Sequence, residues 1–328
     1  MSNSGDIMVS IVCLAYNHEK YIRKTLEGFV MQKTDFAFQA IVHDDASTDG
    51  TADIIREFEE KYPDIIKPVY QTENQYSKKA RINRNFIYPK CKGKYIAYCE
   101  GDDFWSDPMK LQKQVDILEA NENCSICHHR VNVIRENGEL TEDYFPRYKE
   151  MKHGIIPSEE YLSLILYTRT PYFLQFQLSG AMIRARDVMS YTYEDMEYKM
   201  IADVGDIPLF LFAGLKGDAY YLDEAMSSYR SGAIGSWNSR NCAAAEKRIK
   251  HLETEIAVIR SYDKYSNGIV HEAAEKGISS RQFSIYRAKH DLKGMKSMPE
   301  FYNMLGKKAK IKEFLACYFP FVLRVLNK

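Results

Sequence analysis

The 328-residue chain is 45% hydrophobic and sets 45 Lys and Arg against 45 Asp and Glu, so its formal net charge is zero. That length and apolar content suit one large globular domain or two modest ones, and the absence of a basic excess argues against a general nucleic-acid binder. No run approaches the roughly 20 apolar residues that span a bilayer. The polar start from Met1 to Asp6 has no apolar signal segment, and seven irregularly spaced cysteines fit a reducing compartment, so a cytoplasmic location is expected.

Val9 to Leu14 is a nearly continuous apolar run, the pattern of a strand covered on both faces. Asn17 stands where it would cap a helix whose Ile22, Leu26 and Phe29 share one face. Phe38 to His43 predicts a second strand. Thr51 would cap the next helix, with Ile54, Ile55, Phe58 and Tyr62 inward and Pro63 just past its end. Ile65 to Tyr70 gives a third strand, the polar segment Ser77 to Tyr88 follows, and Tyr95 to Cys99 gives a fourth. The alternation predicts an α/β protein with a mainly parallel, doubly wound, Rossmann-like central sheet.

Beyond Trp105, Ser106 or Asp107 would cap a helix with Pro108 in its first turn and Leu111, Val115 and Leu118 as its buried stripe. Cys124-Ser125-Ile126-Cys127-His128 matches the pattern of c-type haem attachment, but the segment runs on to Ile134 as a β-strand and no second cysteine pair stands nearby, so buried structural thiols are expected. Residues 140–175 show no clear period. Gln177 to Ile183 reads as a strand, a helix starts just after Asp203 and Asp206, and Ala219 to Leu222 is a short strand leading to Tyr229-Arg230. From about Asn241 the composition turns helical and basic, giving an expected C-terminal helical extension over 241–328.

The polar clusters fall where an α/β sheet binds ligands, beyond the carboxyl ends of its strands. Strand one ends in Ala15-Tyr16-Asn17-His18, strand two in Asp44-Asp45-Ala46-Ser47-Thr48-Asp49-Gly50, and strand four in Glu100-Gly101-Asp102-Asp103. Three carboxylates within four residues repel one another, and a divalent cation removes the conflict. Oxygen-only donors suit Mg2+ or Mn2+ rather than zinc, and such an ion keeps positions for substrate phosphates. Each cluster also has a purely structural reading, as a turn and helix cap for Asp44, Asp45 and Asp49 and as a solvated acidic turn for Glu100 to Asp103. Gly-rich dinucleotide and P-loop signatures are absent, as are zinc-protease and nucleophile-elbow motifs.

The opening strand ending in Tyr16-Asn17, the Asp44 to Thr51 turn and the acidic turn together resemble the family 2 glycosyltransferases of GT-A fold, in order and spacing over roughly residues 8–235. The resemblance implies a GT-A domain over 1–240, with a nucleotide-sugar-binding half at 8–106 and an acceptor half at 107–240. It implies inverting transfer of a sugar from a nucleotide-diphosphate sugar, UDP-linked by expectation, to an acceptor hydroxyl. Ala15 and Tyr16 would line the base and ribose pocket, and Asp45, with Asp44 beside it, would accept from the uracil-type ring. Asp102 and Asp103 would hold Mn2+ or Mg2+. Glu100 replaces the usual first Asp of the D-x-D-D signature, where it would reach a ribose hydroxyl or a metal-bound water.

The resemblance places the general base at a helix start, which points to Asp206, with Asp203 as the alternate. Arg230 would contact the diphosphate, and the segment through Gly235, Ser236 and Trp237 would close over the site or anchor the end of the domain. Lys78, Lys79, Arg81 and Arg84 would either support the leaving group or form a solvated face. The final segment mixes Lys307, Lys308, Lys310, Lys312 and Arg324 with Phe314, Leu315, Tyr318, Phe319, Phe321, Val322, Leu323 and Leu326, around Pro320. It reads either as a terminal core helix or as a peripheral membrane anchor, which would suit a lipid-linked glycan acceptor in cell-surface polysaccharide or glycolipid assembly. A nucleotidyltransferase, or a sugar-nucleotide-binding assembly protein without turnover, is the alternative function.

Overall fold

The computed structural model of the chain describes residues 6–146, 151–166, 176–190, 206–233, 245–319 and 321. β1 (Ile7–Ala15) is buried along most of its length, as its apolar run requires. It pairs in parallel with β2 (Ala37–Asp44), which in turn pairs in parallel with β3 (Ile66–Tyr70). On its other side it pairs in parallel with β4 (Tyr95–Tyr98). The strands that follow are β5 (Phe104–Trp105), β6 (Cys124–Ile134), β7 (Leu140–Phe145), β8 (Gly154–Ile156), β9 (Ala181–Arg184) and β10 (Asp218–Arg230).

Among the described residues the sheet order is β3-β2-β1-β4-β9-β6-β10-β5, with β7 added on β6 and β8 on β10. The order reverses between β1 and β4, which is where an open α/β sheet offers a ligand crevice. The parallel character is confined to the first four strands and to the β6–β10 pair. β9 runs antiparallel to both β4 and β6, and β5, β7 and β8 are also antiparallel to their partners, so the sheet is mixed beyond β4. The strand expected over Gln177 to Ile183 begins only at Ala181, after a short turn at Leu178–Gly180. Residues 140–175, unreadable in the sequence, contribute β7 and β8 because they pair as edge strands, with mostly exposed side chains on β7 and no buried period to show.

Helix entries differ from expectation at two points. α1 (Ile22–Val30) starts too late for Asn17 to cap it; the N–H groups of Tyr21 and Ile22 donate to the His18 carbonyl, both at 2.8 Å. Asn17 instead adopts a left-handed φ of 56°, which Asn tolerates, and its side-chain oxygen accepts from the Thr48 N–H at 2.8 Å. In α2 (Thr51–Lys61) Thr51 is the first helical residue rather than the cap. Asp49 accepts from its N–H at 3.0 Å and its hydroxyl at 2.5 Å. Before α3 (Lys110–Ala120) it is Asp107 that accepts the Met109 N–H, at 2.7 Å. The predicted stripe Leu111, Val115 and Leu118 is buried, and it joins Ile11, Leu26 and Phe29 in the core around the parallel strands.

β6 carries its thiols and imidazoles inward. The ring of His128 stacks on Phe176 with centroids 4.2 Å apart, its Nε2 lies 2.8 Å from the Tyr161 hydroxyl, and burial pushes its pKa down to about 3. These are packing groups, as the strand reading of the haem-like pattern requires. α4 (Ser158–Leu166) and α5 (Ala185–Met189) follow, and α6 (Asp206–Lys216) begins at Asp206.

The chain divides into two compact units, an α/β unit that holds the ten strands of the described residues and a helical unit whose described residues are Leu166 and those from 245 onward. The helical unit contains α7 (Ala245–Tyr265), α8 (His271–Ala288), α9 (Leu292–Lys296), α10 (Pro299–Met304) and α11 (Lys307–Tyr318). α7 meets α8 through Leu252, Ile256 and Ile285. Arg281 reaches Glu255 at 2.7 Å and His251 reaches it at 2.9 Å. Burial opposes ionisation of Glu255, but Arg281 and His251 outweigh it and hold the carboxyl down to about 2. Phe283, Leu292, Met295 and Phe301 close a second small core.

One buried polar side chain fixes the acidic turn in place, and a second is buried next to Trp105. The Thr25 hydroxyl, on α1, lies 3.0 Å from the Gly101 carbonyl and 2.6 Å from the Asp103 carbonyl. Behind the turn Lys110 is fully buried, with Nζ 3.9 Å from the centre of the Trp105 ring and donating to Gln114 Oε1 at 2.7 Å. Gln114 in turn donates to the carbonyls of Cys127 and Gly180, at 3.0 and 3.1 Å.

Thr25→Val keeps the shape and leaves both carbonyls without the hydroxyl, so urea unfolding is expected to show a loss of about 1–3 kcal/mol. Burial pushes the Lys110 amine down to about 7. The unfolded chain therefore holds a proton there, between pH 7 and about 10, that the folded chain has lost, and wild-type stability gains from this group as pH rises. Lys110→Met should be the more stable protein at pH 7, and its advantage should shrink by about 2 kcal/mol between pH 7 and 9, read as paired urea titrations.

Candidate active site

The carboxyl ends of β1, β2 and β4 are tied together by backbone hydrogen bonds. Asp45 N–H donates to the Ala15 carbonyl at 3.0 Å, and Gly101 N–H donates to the Leu14 carbonyl at 2.8 Å. Ala15, Tyr16, Asp44, Asp45 and the acidic turn therefore lie around one end of β1, at the reversal of strand order. A Cβ at Gly101 would stand 2.8 Å from His18 Nδ1 and 3.0 Å from the Leu14 carbonyl, so the turn needs glycine to seat this closely. The loops after β1 and β2 are laced as well. The N–H groups of Asn17, His18 and Glu19 donate in turn to Ser47 Oγ, Thr51 Oγ1 and Asp49 Oδ2, at 2.9, 2.8 and 3.1 Å. Asp49 thus acts in loop construction, and its carboxyl lies below the usual range because the bonds from Thr51 and Glu19 outweigh its partial burial.

Asp45 is buried, and its two oxygens accept the N–H groups of Gln75 and Tyr76 at 2.7 and 3.0 Å. It fixes the loop after β3 and keeps further lone pairs for a donor. Asp44 is buried with Oδ2 accepting from the Ser47 N–H at 3.3 Å, while its Oδ1 is buried without a hydrogen-bond partner. Such an orphaned acceptor is costly unless a donor or cation meets it. Tyr16 is half-buried beside them.

In the acidic turn, Asp102 and Asp103 are buried and Glu100 has an exposed outer surface. The protein around Glu100 still desolvates its carboxyl, and Asp102, Asp206 and Asp103 add like charge, so it sits well above the ordinary carboxylate range. Asp103 is raised for the same reasons, burial first and Asp102 second, against the opposing pull of Arg230. The cluster is thus an all-oxygen, electrostatically strained donor set, which fits a hard divalent cation. Among the described residues no three metal-ligating side chains already converge as a cage. One or two carboxylates completed by phosphate oxygens is the usual coordination of Mg2+ in phosphate chemistry.

Asp206, the first residue of α6, lies within electrostatic reach of Glu100, and burial lifts its carboxyl to about 6. A carboxylate poised there can take a proton from an acceptor hydroxyl. Asp203 and the Gly235 to Trp237 segment lie outside the described residues.

Arg230 ends β10 in a role that the sequence did not indicate. Its backbone N–H donates to Asp103 Oδ1 at 2.9 Å, its Nε to the Asp102 carbonyl at 3.0 Å, and its Nη1 to the Glu136 carbonyl at 2.7 Å. The guanidinium also lies over Tyr21, 4.7 Å from the ring centre. Arg230 therefore holds the acidic turn together with Thr25. Sequence reasoning missed Thr25, Tyr21 and the Gln75 and Tyr76 amides, because each acts on groups distant in the chain and none stands in a motif. Of the basic residues after β3, Lys78 is paired with Glu73, and Arg84 lies in the short helical segment Asn83–Ile87.

Comparison with known proteins agrees with this geometry. The sequence model of "Glycosyl transferase family 2" matches residues 10–179. An uncharacterized protein of Mycobacterium tuberculosis is 32% identical over 239 residues, 70% of this chain and 61% of the relative, so the chain spans about three fifths of that relative's length. A UDP-Glc:alpha-D-GlcNAc-diphosphoundecaprenol beta-1,3-glucosyltransferase of Escherichia coli is 35% identical over 113 residues, 34% of this chain and 42% of the relative. Among solved structures, S. aureus TarS in complex with UDP-GlcNAc superposes with a TM-score of 0.59 at 19% identity, covering 92% of this chain and 83% of that one. A mannosyltransferase of Pyrobaculum calidifontis in complex with GDP-Man and Mn2+ superposes with a TM-score of 0.52 at 17% identity, covering 95% and 85%. With the family match spanning more than half of the sequence and the acidic turn seated at the strand reversal, this chain belongs to glycosyltransferase family 2.

Proposed function

We propose that this chain moves a hexosyl group from a UDP-sugar to an acceptor hydroxyl with inversion at the anomeric carbon. The observation that carries the reading is the pair Glu100 and Asp206, a carboxylate of the acidic turn at the strand reversal and one at a helix start within electrostatic reach of it. A UDP donor is in keeping with the complexes and names of similar proteins, and a glycan on a lipid diphosphate accords with the Escherichia coli relative. Assembly of a cell-surface polysaccharide or glycolipid follows from that acceptor class.

In this reading Asp45, with Asp44 beside it, accepts from the base of the donor, and Ala15 and Tyr16 line the base and ribose pocket. Glu100 faces the ribose and the sugar side of the diphosphate. Asp102, with Asp103, would hold a divalent cation, which when bound would neutralise charge on the departing diphosphate. Asp206 accepts the proton of the acceptor hydroxyl as that oxygen bonds to the anomeric carbon and the bond to the diphosphate breaks. Arg230 and Thr25 keep the turn rigid, so that the carboxylates do not have to reorganise during the transfer.

Asp206→Asn should lower kcat by about 10²–10⁴-fold with little change in donor affinity, measured as UDP release and donor titration. Because the base acts ionised, wild-type kcat/KM should rise with pH through an apparent pKa of about 6 and then level off. Donor turnover that is indifferent to Asp206 would reject the assignment. Asp102→Asn should remove the extra rise in melting temperature that Mn2+ adds to UDP binding, because a ligand of the native state stabilises it in proportion to its affinity.

A further inference from the structure

α11 is turned inside out relative to an ordinary surface helix. Its acidic residue, Glu313, faces the interior at 7% exposure, held by Arg287 at 2.8 Å, and Ala316 is buried beside it. Ile311, Phe314 and Tyr318 are spaced three and four residues apart, so they stack on one face, and they are 60, 45 and 60% exposed. Phe319 and Phe321 continue the apolar surface at 51 and 77% exposure. The Phe314 ring lies 5.1 Å from Tyr318 and 6.1 Å from Phe319, so the patch is contiguous. A helix folded only for solubility would place these rings inward. A contiguous apolar patch rimmed by polar groups marks an interaction surface.

The rim decides what the surface meets. At helical spacing Lys310 borders one side of the stripe and Lys308 and Lys312 the other, while Lys307 stands at its N-terminal end. From Lys307 to Lys328 the sequence carries six Lys and Arg residues and one acid, Glu313, which is turned inward and paired. A second copy of this face would therefore bring lysine against lysine. An anionic bilayer offers what the face lacks, with phosphates for the lysines and an acyl boundary for the rings. We propose that α11 and Phe319 lie in the plane of an anionic phospholipid surface, with Ile311, Phe314, Tyr318 and Phe319 inserted and Lys307, Lys308 and Lys312 on the headgroups. The proposal stands apart from the glycosyl-transfer reading, because membrane binding is measured without turnover.

The test is flotation of the full chain with vesicles of phosphatidylcholine alone and of phosphatidylcholine mixed with phosphatidylglycerol. Binding is expected on the phosphatidylglycerol vesicles and should weaken with added salt. The double variant Phe314→Ser/Tyr318→Ser should bind at least about tenfold more weakly, and Lys308→Gln/Lys312→Gln should lose about fivefold per lysine and most of the salt dependence. All four side chains point outward, so unchanged thermal melts are expected, and the lysine pair tests the idea even if the aromatic pair folds poorly. Absence of flotation with phosphatidylglycerol, or equal binding by all variants, overturns the proposal. So does a concentration-dependent dimer that Phe314→Ser/Tyr318→Ser abolishes.

Discussion

The site depends on one close contact, the seating of the acidic turn against the end of β1. The Gly101 N–H reaches the Leu14 carbonyl at 2.8 Å, and no side chain other than hydrogen fits there without pushing His18 or that carbonyl aside. The contact brings like charges together, which costs energy unless something else holds the backbone. Thr25 from α1 and Arg230 from β10 do so, Thr25 by bonding two main-chain carbonyls of the turn and Arg230 by bonding the Asp102 carbonyl and Asp103 Oδ1. The side chains of Glu100 and Asp102 are thereby left for ligands.

The same division of labour runs through the loops after β1 and β2. Ser47, Asp49 and Thr51 spend their oxygens on the N–H groups of Asn17, His18 and Glu19, so much of the polar signature of this turn is structural. Asp45 fixes the loop after β3 while it stands in the expected base pocket. Asp44 retains an unsatisfied buried oxygen, the local signature of a group whose partner is a ligand. Rigid scaffolding and unmet donor or acceptor capacity are what electrostatic preorganisation requires.

Behind the turn the core accepts an unusual burden. Lys110 is held by Trp105 and Gln114 in a place where its charge is unwelcome, and burial pushes its pKa down to about 7. Its Gln114 partner bonds carbonyls of Cys127, on β6, and Gly180, just before β9, so it braces the mixed half of the sheet beneath the site. The helical unit solves a different problem. It buries its ion pairs Arg281–Glu255 and Arg287–Glu313 and leaves rings outside.

The sequence by itself determined the α/β alternation, the four parallel strands and the carboxylates at their ends, because strand burial and turn chemistry are local and leave a period and a composition behind. Asp206 at a helix start and the buried thiols of β6 were legible for the same reason. Asn17 and Thr51 misled because a capping residue and a residue that laces two loops are chemically alike, and only the position of the partner loop separates them. The antiparallel insertion of β9, the clamp formed by Thr25 and Arg230, and the inward turn of Glu313 depend on contacts between residues far apart in the chain. Those contacts are chosen when the elements pack, and the tertiary structure alone decided them.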